Sequence, residues 1–303
     1  MNKKLFFTVV LLMFFFANLC YAESNPGNTG LAFLKIGAGG RAVGMGEAFT
    51  AISNDASATY WNPAGLASMQ RSQFMFTHNK WFQGITHGFA SVAFNINENY
   101  FGLSFISNSV DGIERRVNPS TEPLYTIDAH DIMIGVSFAK KYHKNLQWGV
   151  TLKYLYEKIY LENTYGAALD LGVIYKTPVA GLNVGAVIQN LGTMSEFKEE
   201  KITLPAMAKV GASYTLPSEE YGAWTVVADL IQIFDANLHV HTGLEYELKK
   251  IIALRIGYLN GYEERTIQGG LGFKLKRYRI DYAYVPFSSD IGNSHRISFG
   301  FSF

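Results

Sequence analysis

The sequence predicts an all-β fold: a transmembrane antiparallel β-barrel of about 14 strands, with an N-terminal segment folded inside it as a plug. Three observations predict it. From Ser72 onward apolar and polar residues alternate with period 2, as in strands with two unlike faces. The connections between these strands are alternately terse and long. Finally, charged residues make up only 17 %, against roughly 25 % in a soluble domain, yet no run of about 20 apolar residues follows the first stretch of the chain. A barrel reconciles these because only alternate residues need face lipid.

The chain begins with the features of an export signal over residues 1–22. Lys3 and Lys4 supply the positive start, Leu5 to Ala17 an apolar run too short to span, and Cys20-Tyr21-Ala22 a cleavage site before Glu23. Cys20 is the single cysteine. A lipid anchor there would want a small residue before it, and Leu19 is not one. Removal with the signal leaves no cysteine, so neither disulfides nor thiolate metal sites are expected. The remainder, 23–303, reads as one domain: a polar lead-in, a plug over 31–70 and a barrel over 71–303.

Gly37, Gly39, Gly40, Gly44 and Gly46 open the plug and permit tight turns and close backbone approach. Gly46 to Ile52 is expected to form about two helical turns, broken by Asn54-Asp55. Asn62-Pro63 turns the chain, because a residue before proline avoids the helical region.

Strand faces follow by inspection. Leu146, Trp148, Val150, Leu152, Tyr154 and Tyr156 share one face, and Gln147, Gly149, Thr151 and Lys153 the other. The pattern recurs in His130–Phe138, Ala206–Leu216, Leu238–Leu248 and Arg296–Phe303. Short turns (Asn97–Asn99, His143–Asn145, Lys249-Lys250, Lys276-Arg277) alternate with longer connections (Ser107–Ala129, Asn190–Pro205, Asn260–Ile267, Pro286–Asn293), the habit of bacterial outer-membrane barrels. Phe234–Asn237 is short where a long loop is due. An even strand count places both termini in the periplasm. A soluble β-sandwich is the competing architecture; the loop alternation, the aromatic last residue Phe303 and the export signal argue against it.

Three stretches carry a resemblance: Leu34–Gly37, Arg41–Phe49 and Asp55–Leu66 (DASATYWNPAGL). With Asp281–Phe287 and Gly292–Arg296 they resemble the PorV/PorQ-type outer-membrane proteins, which are related to the FadL-type long-chain fatty-acid transporters and share the Asn-Pro-Ala signature in an N-terminal hatch. The resemblance implies a binding or shuttle role of the type IX secretion kind, in which outer loops such as Ser107–Ala129 and Asn190–Pro205 engage exported proteins. The alternative it implies is FadL-like passive uptake of hydrophobic small molecules past the plug.

Asp55, Trp61, Asn62, Pro63 and Ala64 form the plug motif, either a movable turn or a pin against the wall. Asp55 needs a partner inside a barrel, and Arg255, Arg279 and Arg296 fall on or near polar faces as candidates. Phe301 and Phe303 are the expected signal to the barrel-assembly machinery. His239 and His241 share a face with Glu245 and Glu247, yet no third ligand is in evident reach, so no metal is expected. Gly37-x-Gly39 lacks the strand–helix–strand context of a dinucleotide site. In Asn293-Ser294-His295 the serine and histidine point opposite ways along a strand, and no nucleophile elbow occurs, so no enzyme is expected. No cofactor is implied. With 26 Lys+Arg against 25 Asp+Glu, nothing attracts nucleic acid; the expected surroundings are outer-membrane lipid. Most of the aromatics are expected in an interfacial girdle. Trp81-Phe82 and Leu124-Tyr125 are read either as part of it, as loop packing or as ligand contacts.

Overall fold

The structure, a computed structural model, describes residues 29–81, 84–119, 121–197, 201–218, 222–234, 237–288 and 292–303. The expected signal, Cys20 and Phe82 lie outside them. Fourteen strands follow one another: β1 (Gln73–Lys80), β2 (Thr86–Ile96), β3 (Asn99–Arg115), β4 (Tyr125–Lys141), β5 (Leu146–Ile159), β6 (Glu162–Lys176), β7 (Leu182–Met194), β8 (Met207–Ser218), β9 (Gly222–Ile233), β10 (Leu238–Leu248), β11 (Ile252–Asn260), β12 (Ile267–Leu275), β13 (Tyr278–Pro286) and β14 (Asn293–Ser302). Each pairs antiparallel with its sequence neighbours, and β1 pairs with β14 from Gln73↔Ser302 to Lys80↔His295, closing the barrel. Closure leaves no edge strand in the wall. The expected strand count and closure are both met.

Period-2 alternation sorts the side chains. Leu103, Ile134, Val136, Leu152, Ile256 and Ile297 point outward and are exposed, whereas Ser137, Thr151, Asp170 and Ser298 point inward and are buried. An apolar exterior of this extent around a polar-lined interior is the inverse of a soluble protein and suits a bilayer. The rim carrying Gln73 and Phe303 is called proximal here, and the opposite rim distal.

The distal connections correct the expected loop lengths. Ser107–Ala129 is not a free loop: pairing continues past a bulge between Val110 and Ile113 to Arg115↔Tyr125, so β3 and β4 form a long hairpin standing beyond the distal rim. Asn190–Pro205 is not an outward loop either. β7 carries on to Met194, and the described residues 201–205 pack against barrel and plug, with Leu204 and Pro205 buried and Asn190 Nδ2 donating to the Pro205 carbonyl at 3.1 Å.

The core sits in the lumen. Residues 29–72 fill it with two short helices, α1 (Gly40–Gly44) and α2 (Ala58–Trp61), and two 3₁₀ turns, Ala32–Lys35 and Pro63–Ser68. The helix expected over Gly46–Ile52 is absent. Gly46 (φ 67°) and Glu47 (φ 62°) are left-handed, which ends helical geometry, and the following residues satisfy their backbone against the wall: Asp229 Oδ2 accepts from Thr50 N at 2.9 Å.

Candidate functional site: the plug and its ring of charges

The plug is seated on glycines. Where a strand face meets plug backbone the wall residue is often Gly, because any side chain would occupy the plug's space. A Cβ at Gly149 would lie 2.5 Å from the Pro63 carbonyl carbon, one at Gly185 2.7 Å from the Thr50 oxygen, and one at Gly270 2.9 Å from Gly44 Cα. These contacts close the space between plug and wall on β5, β7 and β12.

Asn62 pins the motif. Its side-chain oxygen accepts from Ala64 N at 3.2 Å and caps the 3₁₀ turn that Pro63 opens. Its Nδ2 donates to Thr50 O at 2.9 Å and lies 3.3 and 3.4 Å from the wall carbonyls of Val173 and Ala186. Trp61 is buried; its Nε1 donates to Ala38 O at 2.8 Å, its ring meets Tyr60 edge-on at 4.9 Å, and Lys209 Nζ sits 5.1 Å from its centre. The Tyr60 hydroxyl donates to Leu34 O at 2.9 Å.

Toward the proximal rim six charged groups close a ring. Arg41 of the plug holds Glu245 of β10 bidentately at 3.0 and 2.9 Å. Glu245 accepts from Arg255 of β11 at 2.6 Å, and Arg255 donates to Asp281 of β13 at 2.8 Å. Asp281 pairs with Arg279 at 2.7 Å, Arg279 reaches Asp55 of the plug at 3.5 Å, and Asp55 lies 3.8 Å from Arg41. Three guanidiniums alternate with three carboxylates, so the ring is neutral and each buried charge has two partners. The plug contributes one member of each sign. A polar cavity of ≈ 240 Å³ opens beside the ring, lined among others by Asn54, Gln70, Gln73, Lys250 and Lys274.

The arginines named from the sequence thus divide. Arg279 is within reach of Asp55; Arg255 serves Glu245 and Asp281 instead; Arg296 donates to the Gly37 carbonyl and is not near the ring. Sequence reading missed Arg41 and Glu245 as ring members, because their juxtaposition depends on where the plug settles against β10.

Toward the distal rim a second ion pair joins plug to loop: Arg265, between β11 and β12, holds Glu47 at 2.7 and 3.3 Å. Burial alone would push the Glu47 carboxyl up, but the adjacent Arg265 guanidinium overrides it and holds the group below its ordinary range. His239 stacks on Tyr262 at 4.3 Å and His241 Nε2 lies 3.3 Å from the Tyr262 hydroxyl, while Glu245 belongs to the ring. Among the described residues, three potential metal-ligating groups converge only at Asp111, Asp128 and His130, exposed on the β3–β4 hairpin. Ser294 is buried, with Oγ donating to Asn79 Oδ1 at 2.7 Å, and His295 faces outward to the Tyr282 hydroxyl at 2.8 Å. Trp81 packs inward, 5.2 Å from Phe287. Tyr125 stacks on Tyr160 at 5.8 Å, and Leu124 is exposed.

Between the two charged levels lies an apolar row. Phe89, Ile106, Met133 and Leu155 are direct cross-strand neighbours on β2 to β5. All are fully buried in one cluster with Leu31, Phe33, Leu34, Tyr60 and Trp61. The leading plug segment therefore covers an apolar wall. Besides this burial, Gly30 N donates to Thr203 O at 3.1 Å, the Tyr60 hydroxyl holds Leu34 O, and Leu31 is left-handed at φ 49°.

The chain is similar to the monoaromatic hydrocarbon channel CymD (TM-score 0.65, 12 % identity, 88 % of this chain and 98 % of that one). It is similar also to the Ralstonia pickettii toluene transporter TbuX (0.60, 14 %, 88 % and 98 %) and to a Pseudomonas aeruginosa FadL homologue (0.55, 12 %, 86 % and 97 %). The fold is that of the FadL-type barrels. At these identities the likeness concerns fold alone. The model of an uncharacterised protein family, UPF0164, matches residues 21–117, from before the plug to just past β3. No curated protein sequence matches the chain. None of these matches points to the PorV/PorQ-type proteins or to secretion.

Proposed function

We propose that the protein is a bacterial outer-membrane channel for passive uptake of small hydrophobic molecules, with the proximal rim and both termini in the periplasm and the distal rim outside. The observation that carries this reading is the apolar row Phe89–Ile106–Met133–Leu155, which shares one buried cluster with Leu31, Phe33 and Leu34 of the segment Thr29–Ile36. Withdrawing that segment uncovers an apolar slot at the distal mouth. The fold shared with hydrocarbon channels supports it.

The shuttle reading has less behind it. Of the two stretches expected to engage exported proteins, the second, Asn190–Pro205, has its described end turned to the plug, where Thr203 and Leu204 meet the leading plug residues. The β3–β4 hairpin stands outside and is the described surface left for such a partner.

The test is uptake into proteoliposomes of a monoaromatic hydrocarbon and of a medium-chain fatty acid. Deleting Thr29–Ile36 should raise the uptake rate of at least one several-fold over the intact chain, with the barrel still resistant to protease. No difference between intact chain, deletion and empty liposomes would overturn the reading.

A further inference from the structure

One part of the lumen wall serves neither the charge ring nor the apolar row. One level further toward the distal rim, Arg296, Asn79, His87 and Asn108 stand side by side on β14, β1, β2 and β3. The register pairs Asn79 with Arg296, Asn79 with His87, and His87 with Asn108. Arg296 and Asn79 are 0 % exposed and His87 1 %. Side chains paired directly on one face lie within about 5 Å of each other at Cβ, so the first three converge.

Among the described residues their donors are under-used. Arg296 spends Nη1 on the Gly37 carbonyl, while its Nε and Nη2 find no acceptor. Asn79 receives the Ser294 hydroxyl on its oxygen, and its Nδ2 has no partner. The His87 ring has Asn108 as its neighbouring hydrogen-bonding side chain, and beyond it neither ring nitrogen finds a partner. A buried donor left unmade is costly, and here several sit on directly paired residues of adjacent strands.

Charge balance points the same way. Arg296 and Arg265 both approach the Trp81 ring, at 5.9 and 6.0 Å. Among the described residues the carboxylate between them is Glu47, and both its oxygens are engaged by Arg265. Among these residues, two guanidiniums against one carboxylate leave a single buried positive charge, and a buried charge requires a counter-charge.

We infer that Arg296, Asn79 and His87 form an anion site in the distal lumen, which takes a small monoanion of the size of a halide or formate. A planar guanidinium with Nε and Nη2 free presents the two-pronged edge that a carboxylate or a single halide fits. The bound anion completes the coordination of Arg296 and thereby fixes Gly37, at the start of the plug's glycine-rich run, against β14. The apolar space below is filled by the plug, which limits the occupant to a few atoms. This inference stands apart from the uptake reading, since an anion that fixes the plug serves a channel or a docking barrel equally.

The test uses the full-length barrel in detergent, with sodium formate or chloride replacing sodium gluconate at constant ionic strength. The expected result is a saturable rise in Tm of about 3 °C or more, with slowed amide exchange over Gly37–Val43. Asn79→Ala should weaken the apparent affinity about tenfold, the loss of one hydrogen bond to a charged group, and Arg296→Gln should abolish the response. Should Arg296→Gln fail to insert, Asn79→Ala carries the test, since it removes only a neutral side chain. A rise linear in salt and equal in Asn79→Ala would overturn the site and leave its donors to water. Stabilisation by octanoate but not by formate or chloride would overturn it too, by making the group a reader of amphiphile heads.

Discussion

Gly257 of β11 and Gly46 of the plug lie backbone against backbone, so that a methyl group on Gly257 would overlap the Gly46 amide nitrogen. Neither residue can yield, because Gly46 is in a left-handed turn and Gly257 is fixed in the sheet ladder. We expect Gly257→Leu to insert as a barrel but to expel this part of the plug, raising small-solute permeability. Gly269→Leu, on the same sheet with nothing within 4 Å of its Cβ position, is the control and should behave as the parent. Equal permeability of the two variants would show that the seal does not depend on this contact.

The charge ring should respond as a unit. Glu245→Ala leaves Arg41 and Arg255 facing each other without their shared carboxylate, and breaking a buried pair costs about 3–5 kcal/mol. The plug should then unfold at lower denaturant concentration than the barrel wall. Because Glu245 is only 4 % exposed, added salt should not reproduce this loss, whereas it would for a surface pair.

Acid should loosen the distal latch. The Glu47 carboxyl is held below its ordinary value of 4.5, so its contribution is fully present above that pH and is lost as pH falls through the depressed folded value. Amide protection around Glu47 should be flat above pH 5 or so and decline below, and Glu47→Gln should remove this step. A step persisting in Glu47→Gln would assign it to another group.

Truncating Leu31–Gln70 should raise permeability to small solutes while the barrel still inserts. Unchanged permeability would count against the plug as the seal.

Phe303 is exposed, stacks on Phe301 at 6.1 Å, and its backbone amide donates to Ser72 O at 2.9 Å. If the assembly machinery reads this last aromatic, deleting Phe303 should lower outer-membrane levels without changing the Tm of the protein that does insert. Normal levels would sink that role.

The wall was legible in the sequence because strand faces are a local property. Ile297, Phe299 and Phe301 could be set against Arg296, Ser298 and Gly300 from their alternation alone, and the pairing of β14 with β1 then follows from closure. The lumen was less legible, because its contacts link residues far apart in the chain. Arg41 meets Glu245 across 204 positions, and nothing near either one announces the other. One available signal lay in the glycines on polar strand faces. Gly149, between Gln147 and Thr151, marks a close approach of backbone rather than a gap in the pattern. The helix expected over Gly46–Ile52 failed because contacts with Asp229 and Arg265 outweighed local propensity there.

The glycine contacts also constrain how the protein is made. They occur on β5, β7, β11 and β12, where plug backbone lies directly against wall backbone and would hinder a folded plug from being pushed into a finished cylinder. The segment comes first in the chain, and the seam between β1 and β14 is completed only when the last strand arrives. Biogenesis must therefore wrap the wall around cargo already in place, like a hoop tightened on a cask. Protease protection of residues 37–67 should accordingly appear no later than the heat-resistant barrel in a time course of assembly, and a wall that closed empty would be a dead end.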